Sequence, residues 1–410
     1  MAGSGTAHLR DQDDIVLRVE GLVVEFPLEK GQKVHAVSGI SFDIAKGETL
    51  GLVGESGCGK STTGRAIMQA PRPTGGKILF DDKDLSGLSA DELRRSRTKL
   101  QMIYQDPISS LNPRRRVKDI VAEGLSIWEG KGSDDPRVND MLAEVGLDPE
   151  RAGSRRPHEM SGGQCQRVSI ARSLIMRPEV LICDEPVSAL DVSVQAQILN
   201  LLEDLKAEYN LTMVFIAHDL AVVKNISDRV AVMYLGKICE VAPSDQLYAQ
   251  PAHPYTAALL ASIPEPDPDA KHSDAGLGGE LPSPVDPPSG CRFRTRCPRA
   301  ADLCAGEEPQ MRRGRPGPVR RLPLPAGGGA GTRGRPGDGV DPRLSPAAPT
   351  AAEPTGSPVG SAAVVRPGSV RPGQDRDTRS VSARTCCQAS WQASAQSPKA
   401  RSKKECGAPS

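Results

Sequence analysis

The order of apolar and polar residues predicts short strands alternating with helices over residues 14–262. Short apolar runs, which are typical of buried strands, occur at residues 15–24, 36–44, 48–53, 100–104, 180–183, 212–217, 229–234 and 237–241. Longer segments with helical spacing lie at residues 62–70, 117–127, 136–145, 165–175 and 194–208. Strands that alternate with helices in this way predict an α/β fold.

The strand at residues 48–53 leads into a loop that fits the phosphate-binding pattern G-x-x-x-x-G-K-[ST]. The loop consists of Gly54, Glu55, Ser56, Gly57, Cys58, Gly59, Lys60 and Ser61, and Thr62 then begins a helix. Glycines let the backbone curve around a triphosphate so that successive N–H groups face its oxygens, and the helix start adds its dipole. We expect Lys60 to contact the β- and γ-phosphates and the Ser61 hydroxyl to bind Mg²⁺. A chance glycine-rich turn is the alternative, which the flanking strand and helix disfavour.

The strand at residues 180–183 ends in two carboxylates, Asp184 and Glu185. Because the carboxyl ends of such strands open at the ligand site, we expect Asp184 in the Mg²⁺ shell and Glu185 to act as general base on the attacking water. Upstream, a helix opens with Ser161, Gly162, Gly163 and Gln164, and a helix start of this kind is a second anion site. Two phosphate sites in one chain make sense if the second faces the nucleotide of another subunit.

Together these motifs resemble the ATP-binding subunit of ABC transporters over roughly residues 14–262. They occur in the family's order and spacing, with Met160 where the family usually has Leu, an apolar exchange that we expect to be tolerated. The resemblance implies that Gln105 senses Mg²⁺ and the membrane partner. It also implies that residues 161–164 close on the ATP of the opposite subunit and that Asp191 crosses the dimer interface.

The resemblance also leads us to expect particular roles or locations for three further residues. His218 is expected to contact the γ-phosphate. Phe26 is expected to stack on adenine, with ordinary core packing as the alternative. Residues 161–164 are the family's signature segment, and Cys165 follows it where a polar or basic residue is more usual. We therefore expect a surface position for Cys165, with a reactive thiolate at the helix start as the second hypothesis.

Two segments narrow the resemblance to peptide importers. Residues 104–114 match the family segment Q-D-P-x-x-S-L-N-P-R, and residues 253–260 match the N/H-P-Y-T-x-x-L-L helix. Residues 279–284 and 287–291 continue the C-terminal extension of oligopeptide, dipeptide and sometimes nickel importers. The resemblance implies an ATPase that powers peptide import, although the solute remains open because the ATPase subunit never touches it.

The predicted fold class is α/β, a P-loop NTPase of the ABC ATPase type. It would contain a RecA-like core, an antiparallel β subdomain and a helical subdomain at about residues 106–165. We expect a disordered start at residues 1–13, the nucleotide-binding domain at residues 14–262 and the importer extension at residues 263–310. Residues 311–410 are rich in Ala, Gly, Pro, Arg and Ser without periodicity, so we expect a disordered tail.

Charge and hydropathy restrict the location and the partners. No apolar run is long enough to span a membrane, and the first residues lack the apolar core of a signal peptide. We therefore expect a peripheral protein on the cytoplasmic face of the cytoplasmic membrane. By resemblance, its partners are a second ATPase subunit, two transmembrane permease subunits and, indirectly, an extracytoplasmic solute-binding protein. From residue 312 onward the chain holds 17 Lys/Arg and 6 Asp/Glu, but these arginines lack aromatic interleaving, so we expect no nucleic-acid partner.

Cys291, Cys297 and Cys304 form a separate group. Three clustered cysteines suggest a metal more than a disulfide, and the resemblance implies a 4Fe-4S cluster, which normally needs four thiolates. In the family the last ligand lies in a downstream segment of the Val-Ala-Cys-His type, which is missing here. Three unligated cysteines are therefore the alternative.

The genetic code allows the missing segment to be encoded in a second reading frame. One set of allowed codons for residues 313–325, read one base later, encodes Glu-Val-Gly-Pro-Gly-Gln-Phe-Val-Ala-Cys-His-Phe, which is close to the family pattern. We therefore expect a frameshift near Arg312 and Arg313, with every later residue translated out of frame.

Two other functions stay open at this point. A soluble ABC ATPase of DNA repair or translation usually carries a long coiled-coil insert or two ATPase cassettes, and the sequence has neither. The third hypothesis is a non-functional product of the frameshifted gene.

Overall fold

The apolar runs assemble into two sheets in the computed structural model, which describes residues 5–6, 8–12, 14–263, 278–312 and 319–321. The strands are β1 (Ile15–Pro27), β2 (Lys33–Ala45), β3 (Thr49–Val53), β4 (Gly75–Phe80), β5 (Lys83–Asp84), β6 (Leu100–Ile103), β7 (Val180–Asp184), β8 (Thr212–Ala217), β9 (Arg229–Tyr234), β10 (Lys237–Pro243), β11 (Met311–Arg312) and β12 (Val319–Arg321). The helices are α1 (Lys60–Ile67), α2 (Ala90–Lys99), α3 (Pro107–Ser110), α4 (Val117–Val121), α5 (Glu123–Glu129), α6 (Pro136–Glu144), α7 (Pro149–Ala152), α8 (Gly162–Leu174), α9 (Val192–Tyr209), α10 (Leu220–Ile226), α11 (Ser244–Ala249), α12 (Pro254–Ala261) and α13 (Leu303–Gly306).

The larger sheet has the strand order β11-β12-β10-β9-β3-β8-β7-β6. Its central strands β9, β3, β8, β7 and β6 run parallel, and β10 pairs with β9 in the antiparallel direction. In β7, Val180 and Ile182 pack into one apolar core, whereas Leu181 and Cys183 pack into another. Because alternate residues of a strand face opposite sides, this sheet is buried on both faces, which is typical of parallel sheets.

The smaller sheet is antiparallel and has the order β2-β1-β4-β5. Its buried side chains, among them Leu17, Phe42 and Ile78, share a core with α1 and one face of the larger sheet. The β1–β2 pairing runs to the ends of both strands, where Phe26 lies opposite Val34. Ala36 of β2, two residues after Val34, in turn lies against Gly59 of the β3–α1 loop.

Five helices, α3 to α7, form a helical group between Pro107 and Ala152, and α3, α4 and α6 pack against α8. The single helix predicted at residues 117–127 is two helices, α4 and α5, divided at Ala122. The Ala122 N–H still donates to the Lys118 carbonyl oxygen at 2.9 Å, so the division is a kink and the chain does not leave the helical path. The two sheets and this helical group confirm the predicted fold class.

The N-terminal residues differ from the expectation of a disordered start at residues 1–13. His8 is buried, and the Arg10 guanidinium pairs with Asp43 at 2.8 Å and with Glu48 at 2.5 Å. Arg229 joins the same carboxylates at 3.1 and 3.2 Å. Two buried carboxylates require compensating cations, and the N-terminal segment supplies one of them.

The C-terminal extension, residues 278–312, packs against the larger sheet through the buried Phe293. Its ring lies edge-on to Tyr234, with centroids 5.2 Å apart, and is tilted against Tyr255, with centroids 5.3 Å apart. Beyond it, β12 pairs with β10 through Val319 and Val241. The rest of the predicted tail and residues 264–277 lie outside the described residues, so the expected disorder and the expected frameshift stay predictions.

Candidate functional site

The loop between β3 and α1 has a backbone that only glycine fits at two positions. Gly54 and Gly59 have φ angles of 152° and 106°, a region that L side chains rarely adopt. A Cβ on Gly54 would lie 2.0 Å from the Met233 carbonyl oxygen, and one on Gly59 would lie 2.3 Å from that of Ala36. The loop is therefore held close to β9 and β2 in the curve that the phosphate-binding pattern predicts.

Lys60 holds the backbone of this loop by hydrogen bonds. Its ammonium group is buried and donates to the carbonyl oxygens of Gly54 at 2.8 Å and Glu55 at 3.1 Å. Helix α1 begins at Lys60, so Ser61 and Thr62 stand in its first turn. The cation and the helix start thus point toward the same loop, as an anion site requires.

The other loop residues have distinct environments. Ser56 and Gly57 are exposed, with open space where a Cβ on Gly57 would stand. Cys58 is buried, and burial raises the pKa of its thiol to about 11. The thiol therefore stays neutral near pH 7 and serves as packing.

Asp184, at the end of β7, has a buried carboxylate beside this loop. Within the described part of the chain, neither of its oxygens makes a hydrogen bond of normal geometry, and Arg65 Nη2 lies 3.6 Å from Oδ2. Burial raises the pKa of Asp184, while the Ser61 hydroxyl and the Arg65 charge oppose this effect. A buried carboxylate with available oxygens next to a hydroxyl suits a hard divalent cation. Asp184 and Ser61 therefore fit the predicted Mg²⁺ site.

Glu185 is the point at which two other predicted residues meet. The Gln105 amide donates to Glu185 Oε2 at 2.9 Å, and His218 Nδ1 lies 3.7 Å from the same oxygen. Gln105 follows β6 and His218 follows β8, the two neighbours of β7, so the parallel strand order brings all three together. Glu185 has a φ of 47°, a left-handed conformation that is uncommon outside glycine. Such backbone conformations cluster at active sites.

Ser161 and Gln164 form a capping box at the start of α8. The Gln164 N–H donates to the Ser161 hydroxyl oxygen at 3.3 Å, and the Ser161 N–H donates to Gln164 Oε1 at 3.1 Å. This reciprocal pair fixes the helix start. Among the described residues, none of the four from Ser161 to Gln164 is hydrogen bonded to the phosphate loop.

Asp191 caps the next helix, α9, by accepting from the Val194 N–H at 3.0 Å and the Ser193 hydroxyl at 2.6 Å. The two helix starts touch, since a Cβ on Gly163 would lie 2.6 Å from Val194 Cγ1, and one on Gly162 would lie 3.6 Å from Leu190 Cδ2. Residues 161–164 and Asp191 thus form one surface within the chain, on which Ser161 and Asp191 are exposed.

Cys165 contradicts the expected surface position. Its side chain is fully buried, and its thiol donates to the Pro157 carbonyl oxygen at 3.3 Å. It shares the inner face of α8 with Val168, because residues three apart lie on one side of a helix. Burial raises the pKa of the thiol, so the hypothesis of a reactive thiolate is also wrong.

The remaining predicted site residues are Phe26 and the three cysteines of the extension. Phe26, at the end of β1, is 39% exposed, so its ring has a face available for stacking and is not a core residue. Cys291, Cys297 and Cys304 lie in the extension, where the Cys291 N–H donates to the Cys304 carbonyl oxygen at 2.8 Å. In the described part of the chain, no three His, Cys, Asp or Glu side chains are placed to hold a metal ion. As placed, the three cysteines do not fit an iron–sulfur cluster.

Comparisons with known proteins match both parts of the chain. Residues 37–188 match the family model of the ABC transporter, and residues 239–304 match the oligopeptide/dipeptide transporter C-terminal region. The oligopeptide transport ATP-binding protein OppF of Salmonella typhimurium is 51% identical over 314 residues, which cover 73% of this chain and 94% of OppF. A Brucella abortus protein named for peptide import is 52% identical over 305 residues, covering 74% of this chain and 95% of that protein.

The chain belongs to the ATP-binding subunits of ABC transporters. Solved structures of such ATPases agree with its fold. The ATP-binding cassette MJ0796, solved as a dimer bound to ADP and phosphate, has a TM-score of 0.51 and 27% identity, covering 56% of this chain and 98% of the cassette. CbiO1 of Clostridium perfringens has the same TM-score with 31% identity, covering 58% and 92%.

This ABC ATPase subunit has no helix, within the residues described, that is long and apolar enough to cross a membrane. The comparisons give no support to the alternative hypotheses of DNA repair, translation or a non-functional product. The match to the C-terminal region begins at residue 239, upstream of the boundary predicted at residue 263.

The sequence does not predict two residues that contact the phosphate loop. The Tyr255 hydroxyl accepts from the Glu55 N–H at 2.9 Å, and Arg296 pairs with the Glu55 carboxylate at 2.7 Å. Tyr255 stands in the recognised segment at residues 253–260, but the pattern gave it no role. Arg296 is 241 positions from Glu55, and no local spacing signals a contact over that distance.

Proposed function

We propose that the chain powers the import of peptides across the cytoplasmic membrane by hydrolysing ATP. The observation that carries the peptide part is the match of residues 239–304 to the oligopeptide/dipeptide transporter C-terminal region. Relatives named for peptide transport that are more than half identical over nearly their whole length support the same proposal. The subunit would bind to the cytoplasmic face of its transporter.

In the proposed reaction, the triphosphate lies in the loop from Gly54 to Ser61, and the buried Lys60 ammonium turns from the loop carbonyls to the β- and γ-phosphate oxygens. Glu185 accepts a proton from the attacking water, with Gln105 and His218 orienting its carboxylate. Phe26 stacks on the adenine ring. Asp184, Ser61 and Gln105 would hold Mg²⁺, which when bound neutralises charge on the β- and γ-phosphates.

A second ATPase subunit completes the proposed site. The surface formed by residues 161–164 and Asp191 carries a helix start with backbone N–H groups available to an anion. Because this surface makes no hydrogen bond to its own phosphate loop in the described residues, it is suited to close on the nucleotide of the partner subunit. Closure of the two subunits would then pull on two permease subunits.

Reconstitution tests the proposal. The chain, with a partner ATPase, two permease subunits and a solute-binding protein, should drive ATP-dependent uptake of a labelled peptide into vesicles. Uptake should disappear when Glu185→Gln replaces the wild-type chain. ATP hydrolysis that responds to DNA or ribosomes, but never to the permease, would favour the soluble alternative and contradict the proposal.

A further inference from the structure

Glu55, the second residue of the phosphate loop, is held by the C-terminal extension. Arg296 Nη1 donates to Glu55 Oε2 at 2.7 Å, and Nη2 donates to Oε1 at 3.1 Å. This two-pronged geometry is the strongest that an arginine and a carboxylate form. The Arg296 side chain is only 5% exposed and that of Glu55 is 27% exposed, so water weakens the pair little.

The backbone of Glu55 is held by the same region. Its N–H donates to the hydroxyl oxygen of Tyr255 at 2.9 Å, and its carbonyl oxygen accepts from Lys60 at 3.1 Å. Burial raises the pKa of Tyr255, so the phenol remains a neutral acceptor. Tyr255 is in turn fixed by the ring cluster with Tyr234 and Phe293. Side chain, N–H and carbonyl of Glu55 therefore each have a specific partner.

The negative charge of Glu55 would affect nucleotide binding if Arg296 did not pair with it. A carboxylate in a loop that receives a triphosphate repels the ligand, and repulsion is strong where water is partly excluded. Arg296 cancels that charge and turns the carboxylate toward the extension. We propose that Arg296 and Tyr255 are positioning residues of the nucleotide site, through which the C-terminal extension sets the affinity for ATP. The inference rests on the proposed ATPase function and adds the extension to its machinery.

Thermodynamic linkage predicts a second effect, that of bound ATP on the C-terminal extension. If the extension favours ATP binding, bound ATP must stabilise the docked extension by the same free energy. Adding MgATP should therefore slow backbone hydrogen exchange in residues 291–297. An extension that merely covers the sheet would show no such response.

The direct test measures equilibrium binding of fluorescent N-methylanthraniloyl-ATP with Mg²⁺, and KM and kcat for ATP, on the full-length chain. Arg296→Gln leaves the Glu55 charge uncompensated and should weaken binding about tenfold, since loss of one partner of a desolvated pair is costly. KM should rise while kcat changes little, because the groups around Glu185 are untouched. Tyr255→Phe should cause a smaller loss of affinity.

A double variant distinguishes the effect of an uncompensated Glu55 charge from an effect on folding. Glu55→Gln combined with Arg296→Gln removes both charges and should bind more tightly than Arg296→Gln alone. Arg294→Gln is the matched control, since Arg294 lies in the same segment but donates to the Ser289 carbonyl oxygen at 3.0 Å, and it should bind like wild type. A double variant no better than Arg296→Gln, or equal losses in Arg294→Gln and Arg296→Gln, would overturn the inference.

The two proposals fail in different ways. A wild-type chain that hydrolyses no ATP in the assembled transporter would overturn the proposed function. A wild-type chain that hydrolyses ATP, with Arg296→Gln binding nucleotide equally well, would overturn only the role of Arg296.

Discussion

At the scale of single residues, the buried carboxylate of Asp184 can bind a cation but lowers the stability of the nucleotide-free protein. A carboxylate buried without hydrogen bonds destabilises the nucleotide-free protein, and the raised pKa expresses this cost. A carboxyl whose folded pKa lies above its unfolded value, about 3.9, binds protons more tightly in the folded state. The penalty is therefore present at neutral pH and is relieved as the pH falls through the folded pKa.

Asp184→Asn should remove the penalty and the cation ligand together. We expect the melting temperature of the nucleotide-free chain at pH 7 to rise by about 2–4 °C, the shift produced by about 1 kcal/mol in a sizeable domain. We also expect the stabilisation by MgATP to shrink, because one Mg²⁺ ligand is lost. Differential scanning fluorimetry with and without MgATP measures both. A variant that keeps the full MgATP-induced shift would contradict the assignment of Asp184.

At the scale of elements, the sequence was informative where the pattern is local. The loop at Gly54, the carboxylates after β7 and the helix start at Ser161 were each predicted from a few consecutive residues, and each has the predicted local structure. Cys165 was misplaced because the rotation of α8 depends on what packs against it. The Arg296–Glu55 pair could not be predicted, since only the folded chain brings the extension to β3.

The segment after Gln105 carries a prediction about coupling. Ile108 is 56% exposed and residues 112–114 are exposed, yet the segment is anchored from behind by Arg172, which donates to the Ser110 carbonyl oxygen at 2.7 Å. An exposed surface on a fixed support suits contact with a permease. Arg114→Glu should reduce peptide uptake in the assembled transporter by about tenfold or more, with ATP hydrolysis of the isolated subunit unchanged.

Arg151→Glu serves as the control for this variant. Arg151 is exposed on α7, outside the segment, and pairs only locally with Asp148 at 3.3 Å. Reversing the charge of Arg151 should leave peptide uptake near the wild-type level. Parallel loss of uptake and of basal ATP hydrolysis in Arg114→Glu would place the segment in the catalytic machinery instead.

At the scale of the whole molecule, the end of the chain decides whether the cysteines can bind a cluster. In the protein as written, the candidates for the fourth ligand that a 4Fe-4S cluster normally needs are Cys386, Cys387 and Cys406. All three lie far downstream of Cys304, so ordering the long loop between them carries an entropy cost. We expect this protein to bind a cluster poorly or not at all. A version with the frame restored after Arg312 gains a Val-Ala-Cys-His segment and should bind one.

Iron and sulfide analysis after anaerobic purification compares the two versions. The frame-restored version should contain a full cluster, and Cys304→Ser in that version should remove it. Equal, full occupancy in both versions would contradict the expectation. Sequencing of codons 308–326 would separately establish whether the frame change is present in the gene.

We propose above all that Glu185 is the general base of an ATPase that works as a dimer. The most direct measurement is phosphate release by purified Glu185→Gln, with size-exclusion chromatography in MgATP alongside. Turnover should fall by at least about a hundredfold, since an amide cannot accept the proton, while bound ATP should hold the chain as a dimer. Glu179→Gln, at a surface glutamate paired with Lys99, should behave like wild type. Wild-type turnover in Glu185→Gln would contradict the claim.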